Sequence, residues 1–138
     1  MYLLDTNIIS ELRKRDRANP GITRFFCQMA EQEAISYLSV ITIGELRRGV
    51  DIIQHRGDFA QAQALENWLQ TMLDNYAENI LDFGREETQV WGKLRVPHPE
   101  NALDKQIAAT ALVYDLTLVT RNVKDFAATG ATLLNPFE

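Results

Sequence analysis

Four acidic residues are spaced along the chain so that each follows a predicted strand or begins a predicted helix. Asp5 directly follows the first apolar run, and Asp125 comes a few residues after a later one. Glu45 and Asp104 lie early in predicted helices, where each borders an apolar stripe. A carboxylate beside apolar neighbours loses hydration and needs compensating partners. We therefore treat these four residues as candidate catalytic and metal-binding groups.

Each of these carboxylates, taken alone, also has an ordinary structural explanation. Aspartate is a favoured N-cap and turn residue, which would account for Asp5 and Asp125. Asp104 would interact favourably with the positive end of a helix dipole. Glu45 would close a capping box begun by Thr42. Only the meeting of all four side chains in one place would indicate a functional site.

Short apolar runs alternate with stretches of helical periodicity along the chain. Strands are expected near residues 2–4, 34–38, 79–83, 116–120 and 131–134. Apolar strands separated by helices indicate a parallel sheet that is covered on both faces. Right-handed crossovers then give an α/β fold, a doubly wound three-layer sandwich. The 138 residues contain no linker or repeat, so we expect one domain over residues 1–138.

In a doubly wound sheet, ligands bind in the crevice beyond the carboxyl ends of the strands. The positions of the four acids all point to this crevice, where their charges would repel one another unless cations neutralised them. No histidine or cysteine accompanies them at ligand spacing, which disfavours zinc. Oxygen ligands suit Mg²⁺, with Mn²⁺ as an alternative. Such ions activate water against phosphates, so we expect metal-assisted hydrolysis of a phosphodiester.

The overall composition excludes a protein that is held to nucleic acid by bulk positive charge. The formal net charge is −5 and the isoelectric point is about 5.0, whereas such proteins are basic. A role on nucleic acid would therefore depend on local basic residues, for which Arg47, Arg121 and Lys124 are candidate phosphate contacts. No apolar run approaches the roughly 20 residues that cross a bilayer, so we expect no membrane association and a cytoplasmic location.

Four blocks of the sequence together resemble the PIN-domain ribonucleases of the VapC toxin type, from type II toxin–antitoxin systems. Their order and spacing match over essentially the whole chain. The blocks are Leu3-Leu4-Asp5-Thr6-Asn7-Ile8-Ile9-Ser10, Leu38-Ser39-Val40-Ile41-Thr42-Ile43-Gly44-Glu45-Leu46-Arg47-Arg48-Gly49, Asp104-Lys105-Gln106-Ile107-Ala108-Ala109-Thr110-Ala111 and Leu118-Val119-Thr120-Arg121-Asn122-Val123-Lys124-Asp125-Phe126.

This resemblance implies a PIN-like fold with a five-stranded parallel sheet and an acidic Mg²⁺ pocket. It also implies endonucleolytic cleavage of RNA by a metal-activated water, pairing with a cognate antitoxin, and a homodimer. Asp5 and Asp104 match the metal-binding acids on which the family most depends, and Glu45 matches its second acid. The residues expected to orient the pocket or the substrate are Thr6, Asn7, Ser39, Thr120 and Asn122.

The chain departs from some relatives at one position. Asn122 stands where those relatives carry an acid, and Asp125 is the available substitute. We therefore expect one firmly held Mg²⁺ and a second ion that is recruited with the substrate. Along the amphipathic helix expected over residues 59–76, Leu69, Met72 and Tyr76 are candidate contacts for an antitoxin helix, with internal packing as the alternative.

Two other functions fit the same acidic pocket. An aspartate-nucleophile phosphohydrolase would also place an aspartate such as Asp5 after the first strand. Enzymes that resemble the haloacid dehalogenases carry a second acid two residues later, where this chain has Asn7. The other alternative is a catalytically inactive module that binds Mg²⁺ through its acidic residues.

Overall fold

Five short strands and seven helices make up the computed structural model, which describes residues 1–138. The strands are β1 (Tyr2–Leu4), β2 (Ser36–Ser39), β3 (Ile80–Leu81), β4 (Thr117–Val119) and β5 (Leu133–Leu134). The helices are α1 (Thr6–Leu12), α2 (Pro20–Glu31), α3 (Val40–His55), α4 (Phe59–Asn75), α5 (Arg85–Leu94), α6 (Ala102–Val113) and α7 (Val123–Phe126). Single 3₁₀ turns follow α1 and α7, at Arg15–Arg17 and Ala127–Thr129.

The five strands form one parallel sheet in the order β3-β2-β1-β4-β5. In the centre, Leu3 of β1 is in register with Tyr37 of β2 on one side and with Leu118 of β4 on the other. The chain winds outward in both directions from β1, so the crevice between β1 and β4 is the topological switch point of the sheet. The doubly wound parallel sheet expected from the sequence is confirmed.

Helices cover both faces of the sheet because neighbouring residues of β1 point to opposite sides. Leu4 packs with Ile22 and Leu69 in a core cluster that joins α1, α2, α3 and α4. Leu3 packs with Ile107 in a second cluster, which lies under α6 and α7. Two cores around one sheet form the expected three-layer sandwich.

The burial of apolar residues in and just after helix α4 differs from one expectation. Leu69 is fully buried and Met72 is nearly so, and both belong to the first core cluster. The hydroxyl of Tyr76 lies 3.0 Å from Ser36 Oγ, in a hydrogen bond to β2. The expectation that these three residues form an exposed groove for a partner is therefore wrong, because their apolar surface covers the protein's own sheet. None of the helices combines the length and the apolar character that crossing a membrane demands.

Candidate active site

Asp5 lies in the junction between β1 and α1, at the carboxyl edge of the sheet. Its Oδ1 atom accepts a hydrogen bond of 2.8 Å from the backbone N–H of Thr6 and so caps α1. Its Oδ2 atom accepts bonds from Thr120 Oγ1 at 2.7 Å and from Asn7 Nδ2 at 3.1 Å. Asp5 is thus an N-cap, as its structural explanation predicts. In addition, the side chains of Thr120 and Asn7 hold its Oδ2 atom in place.

Burial of Asp5 has an electrostatic cost. Only 4% of the residue is exposed, and this desolvation raises the pKa of its carboxyl group. The hydrogen bonds from Thr120 and Thr6 oppose that shift, whereas the nearby charge of Glu45 adds to it. A buried carboxylate facing another negative charge is a group that a cation would stabilise.

Glu45 reaches the site from the second turn of α3. This helix is capped by Ser39, whose Oγ accepts the N–H of Ile41 at 3.0 Å, so Glu45 does not close a capping box with Thr42. Instead, Glu45 Oε1 accepts a hydrogen bond of 2.7 Å from Thr6 Oγ1. Thr6 therefore joins the two acids, since its backbone N–H binds Asp5 and its hydroxyl binds Glu45.

Asp104 projects from the first turn of α6. Desolvation raises the pKa of its carboxyl group to about 6, and the charges of Asp5, Asp125 and Glu45 add to that shift in this order. Such coupling needs Asp104 to lie near each of the other three acids. The dipole of α6 would lower the pKa of a first-turn aspartate, so the helix-dipole explanation alone does not account for Asp104.

The loop after β4 is held against the site by its backbone. The N–H of Asn122 donates to Thr120 Oγ1 at 3.0 Å, and the N–H of Arg121 donates to Asn7 Oδ1 at 3.2 Å. Asp125 follows in α7, is exposed, and is one of the charges that raise the pKa of Asp104. The side chain of Asn122 is also exposed and caps no helix end.

The structure gives the orienting residues different tasks. Thr6, Asn7 and Thr120 contact the acids directly. Ser39 is fully buried and serves as the cap of α3. Sequence reasoning missed Thr42 as a member of this network; its buried hydroxyl lies 3.3 Å from Thr6 Oγ1. A polar residue in the first turn of an otherwise apolar helix start was the available signal.

The candidate phosphate contacts are not equivalent. Arg47 forms a bidentate ion pair with Glu66, with both N···O distances at 2.8 Å, and so ties α3 to α4. The guanidinium of Arg121 lies 4.8 Å from the ring centroid of Phe137, in a cation–π contact. Lys124 is exposed and forms no ion pair. The two terminal nitrogens of the Arg47 guanidinium are therefore occupied by the contact with Glu66 between the two helices.

The donor atoms of the site fit a hydrated hard cation. They are carboxylate and hydroxyl oxygens, whereas Cys27 is exposed on α2 and His98 lies in an exposed loop near Glu100. No three acidic, histidine or cysteine side chains lie close enough together to chelate one ion. Mg²⁺ commonly binds one or two carboxylates and keeps several waters. The direct or water-mediated role of each acid remains a prediction.

Comparison with known proteins gives this site a family context. Toxin FitB from Neisseria gonorrhoeae is 32% identical to the chain over 143 residues, with 99% of each sequence covered. The VapC ribonuclease Y4jK from Sinorhizobium fredii is 30% identical over 144 residues, with 100% of this chain and 99% of the relative covered. The crystal structure of FitAcB from Neisseria gonorrhoeae superposes with a TM-score of 0.84 at 32% identity, over 99% of this chain and 98% of that chain.

The PIN domain family matches residues 2–131, a span that runs from β1 to just before β5 and includes all four candidate acids. Relatives of similar length match the chain from end to end. The protein belongs to the PIN domain family.

Proposed function

We propose that the protein is a Mg²⁺-dependent endoribonuclease that acts as the toxin of a toxin–antitoxin pair. The observation that carries this proposal is the joining of Asp5 and Glu45 through Thr6, with Asp104 near enough to both, and to Asp125, for their charges to raise its pKa. Membership of the PIN domain family and the names of the relatives support the same function.

The residues of the site have separable tasks in this proposal. Asp5 and Asp104 would hold the ion, and Glu45 and Asp125 would bind its waters or a second ion that arrives with the substrate. Thr120 and Asn7 hold Asp5 Oδ2 in place, so that the carboxylate needs no reorganisation when a cation arrives. When bound, Mg²⁺ supplies a Lewis acid that activates a water and neutralises charge on the phosphate.

The cognate partner we propose is an antitoxin that covers the site. A cavity of about 250 Å³ reaches Glu45, and its wall combines Thr6 and Glu45 with apolar residues such as Val50, Leu65 and Trp68. A partly apolar groove that ends at the Glu45 carboxylate suits an antitoxin helix that carries an arginine, because guanidinium pairs bidentately with carboxylate. Cleavage that is fully inhibited by an antitoxin whose arginines are replaced by alanine would contradict this contact. A homodimer and a cytoplasmic location stay predictions.

The aspartate-nucleophile alternative is disfavoured by the hydrogen bonds of Asp5. Both of its carboxylate oxygens accept hydrogen bonds, and Oδ2 accepts two. The residue two positions later is Asn7, which donates its amide to Asp5 rather than offering a second carboxylate. An inactive Mg²⁺-binding module would keep the same network, so only an assay separates it from a nuclease.

The test is cleavage of single-stranded RNA by the purified protein with Mg²⁺, Mn²⁺ or EDTA. We expect cleavage with either ion, none in EDTA, and a loss of at least about 100-fold in Asp104→Asn, because electrostatic stabilisation in such sites is worth that much. Asp74→Asn, an exposed acid near the end of α4, is the matched control and should cleave normally. Cleavage that survives EDTA, or equal activity of both variants, would refute the proposal.

A further inference from the structure

A dense basic segment follows directly after α1. Residues 13–17 read Arg-Lys-Arg-Asp-Arg, four basic residues and one acidic residue, for a net charge of +3 in a chain of net charge −5. Arg13 is the C-cap of α1, Lys14 follows it, and Arg15–Arg17 form the 3₁₀ turn; all five residues are exposed. This basic turn therefore reverses the sign of the protein's charge over one small part of its surface.

Most of the charge in the basic turn is not neutralised within the protein. Lys14 pairs with Glu11 at 3.1 Å. Arg13, Arg15 and Arg17 make no ion pair with any acidic residue. Arg15 also holds a φ of 54°, a left-handed conformation that is unfavourable for a residue with a β-carbon. Sites that keep such strain are frequently functional.

The basic turn and the acidic site lie at the two ends of one groove. The cavity that includes Thr6 and Glu45 adjoins a second cavity of about 310 Å³, and both are lined by Arg13 and Trp68. Arg15 and Arg17 line the second cavity only. Helix α1 has seven residues, so the turn stands about 10 Å along the helix axis from Asp5, which caps the other end of this helix.

The guanidinium of Arg13 marks the junction between the two cavities. It lies 6.0 Å from the ring centroid of Trp68, which is half-buried on α4. An arginine packed on an aromatic ring is held in place but keeps its N–H donors available at its edge. Phosphate oxygens are acceptors of the kind that this edge binds in pairs.

We propose that the basic turn binds the phosphate backbone of the RNA strand on its way into the acidic site, through Arg13, Arg15 and Arg17. This inference rests on the proposed ribonuclease function. Four carboxylates repel a phosphodiester, so affinity for RNA has to come from positive charge elsewhere along the strand. The basic turn supplies such charge at the mouth of the same groove, without contributing to the chemistry.

The test is the affinity of the full chain for a fluorescently labelled single-stranded RNA of about 10 nucleotides, measured by anisotropy in EDTA over a range of salt concentrations. In the double variant Arg15→Gln/Arg17→Gln, we expect the Kd to rise at least fivefold. The slope of log K against log salt should shrink by about 1.4, since each phosphate contact on a single strand contributes about 0.7.

The matched control is Arg56→Gln/Arg85→Gln, two exposed arginines outside the groove that also lack ion pairs. It removes the same net charge and should change the Kd less than twofold. Equal weakening in both double variants would mean that only net charge matters and would overturn the proposal. Unchanged RNA affinity in the basic-turn variant would also overturn the proposal. This holds even if that variant loses affinity for a poly-glutamate peptide.

The outcome is distinguishable from failure of the ribonuclease function itself. If the wild type cleaves RNA with Mg²⁺ but the basic-turn variant binds RNA like the wild type, only the present inference fails. If the wild type does not cleave RNA, the proposed function fails at its own assay. Thermal unfolding of every variant is the check that the exposed substitutions leave the fold intact.

Discussion

Thr6 Oγ1 lies 2.7 Å from Glu45 Oε1, and this hydrogen bond joins the start of α1 to the second turn of α3. The backbone N–H of the same threonine binds Asp5. One residue therefore fixes the relative position of two acids, one at the junction of β1 and α1 and the other in α3. Without this link, Glu45 would be free to turn toward solvent.

Replacing Thr6 by valine should test this link. We expect Thr6→Val to lower RNA cleavage at least about tenfold, because Glu45 loses the donor that orients it. The free energy of unfolding should fall by only about 1 kcal/mol, as expected for one hydrogen bond. Thr6→Ser keeps the hydroxyl and should restore most of the activity. Equal losses in both variants would show that the methyl group, not the hydroxyl, matters.

Asp5→Asn should separate function from stability. The variant should lose at least about 100-fold in cleavage. Its melting temperature should stay the same or rise, because burial and the charge of Glu45 both disfavour the carboxylate, and asparagine is an equally good N-cap. The measurement is thermal unfolding in EDTA beside the cleavage assay. A melting temperature lowered by about 10 °C or more would mean that Asp5 is mainly structural.

The sequence was sufficient to predict the sheet and the acids because both depend on local patterns. Apolar runs that end at Asp5 and Thr120 place those residues at the carboxyl ends of β1 and β4. The amphipathic helix expected over residues 59–76 is observed as α4 at Phe59–Asn75, because its apolar periodicity is a local pattern. Parallel topology then follows from the alternation of strands and helices.

Other features depend on contacts between distant residues, and the sequence could not predict them. The pairing of Arg47 with Glu66 joins two helices, and no spacing in the chain indicates it. Burial of Leu69 and Met72 required knowing that α4 covers the sheet. The continuity between the basic turn and the acidic site depends on Trp68, which reaches both cavities from a third element.

The raised pKa of Asp104 predicts a pH dependence of stability in the metal-free protein. In the native state this carboxyl titrates at about 6, compared with 3.8 for an ordinary aspartate. Between these values the native state binds more protons than the unfolded state, so the free energy of unfolding falls as pH rises. Because the side chain is half-buried, solvent screening limits the effect to about 1 kcal/mol.

The measurement for Asp104 is urea unfolding in EDTA between about pH 4 and pH 6.5, for the wild type and for Asp104→Asn. The difference in unfolding free energy between variant and wild type should grow in favour of the variant as pH rises through this window. Comparing the two proteins removes the contributions of groups that do not interact with Asp104. A difference that stays constant with pH would show that Asp104 titrates normally.

Gly21 near the start of α2 should tolerate no side chain. A β-carbon at this position would overlap the backbone carbonyl of Pro136, which the C-terminal residues hold there through hydrogen bonds between Asn19 and Glu138. We expect Gly21→Ala to lower the free energy of unfolding by about 2 kcal/mol, since a backbone atom has to move. Gly92→Ala, in α5 with open space around it, is the control and should stabilise the fold by about 0.5–1 kcal/mol. Urea unfolding of both variants gives the comparison, and a neutral Gly21→Ala would mean that the C-terminal segment detaches from α2 without cost.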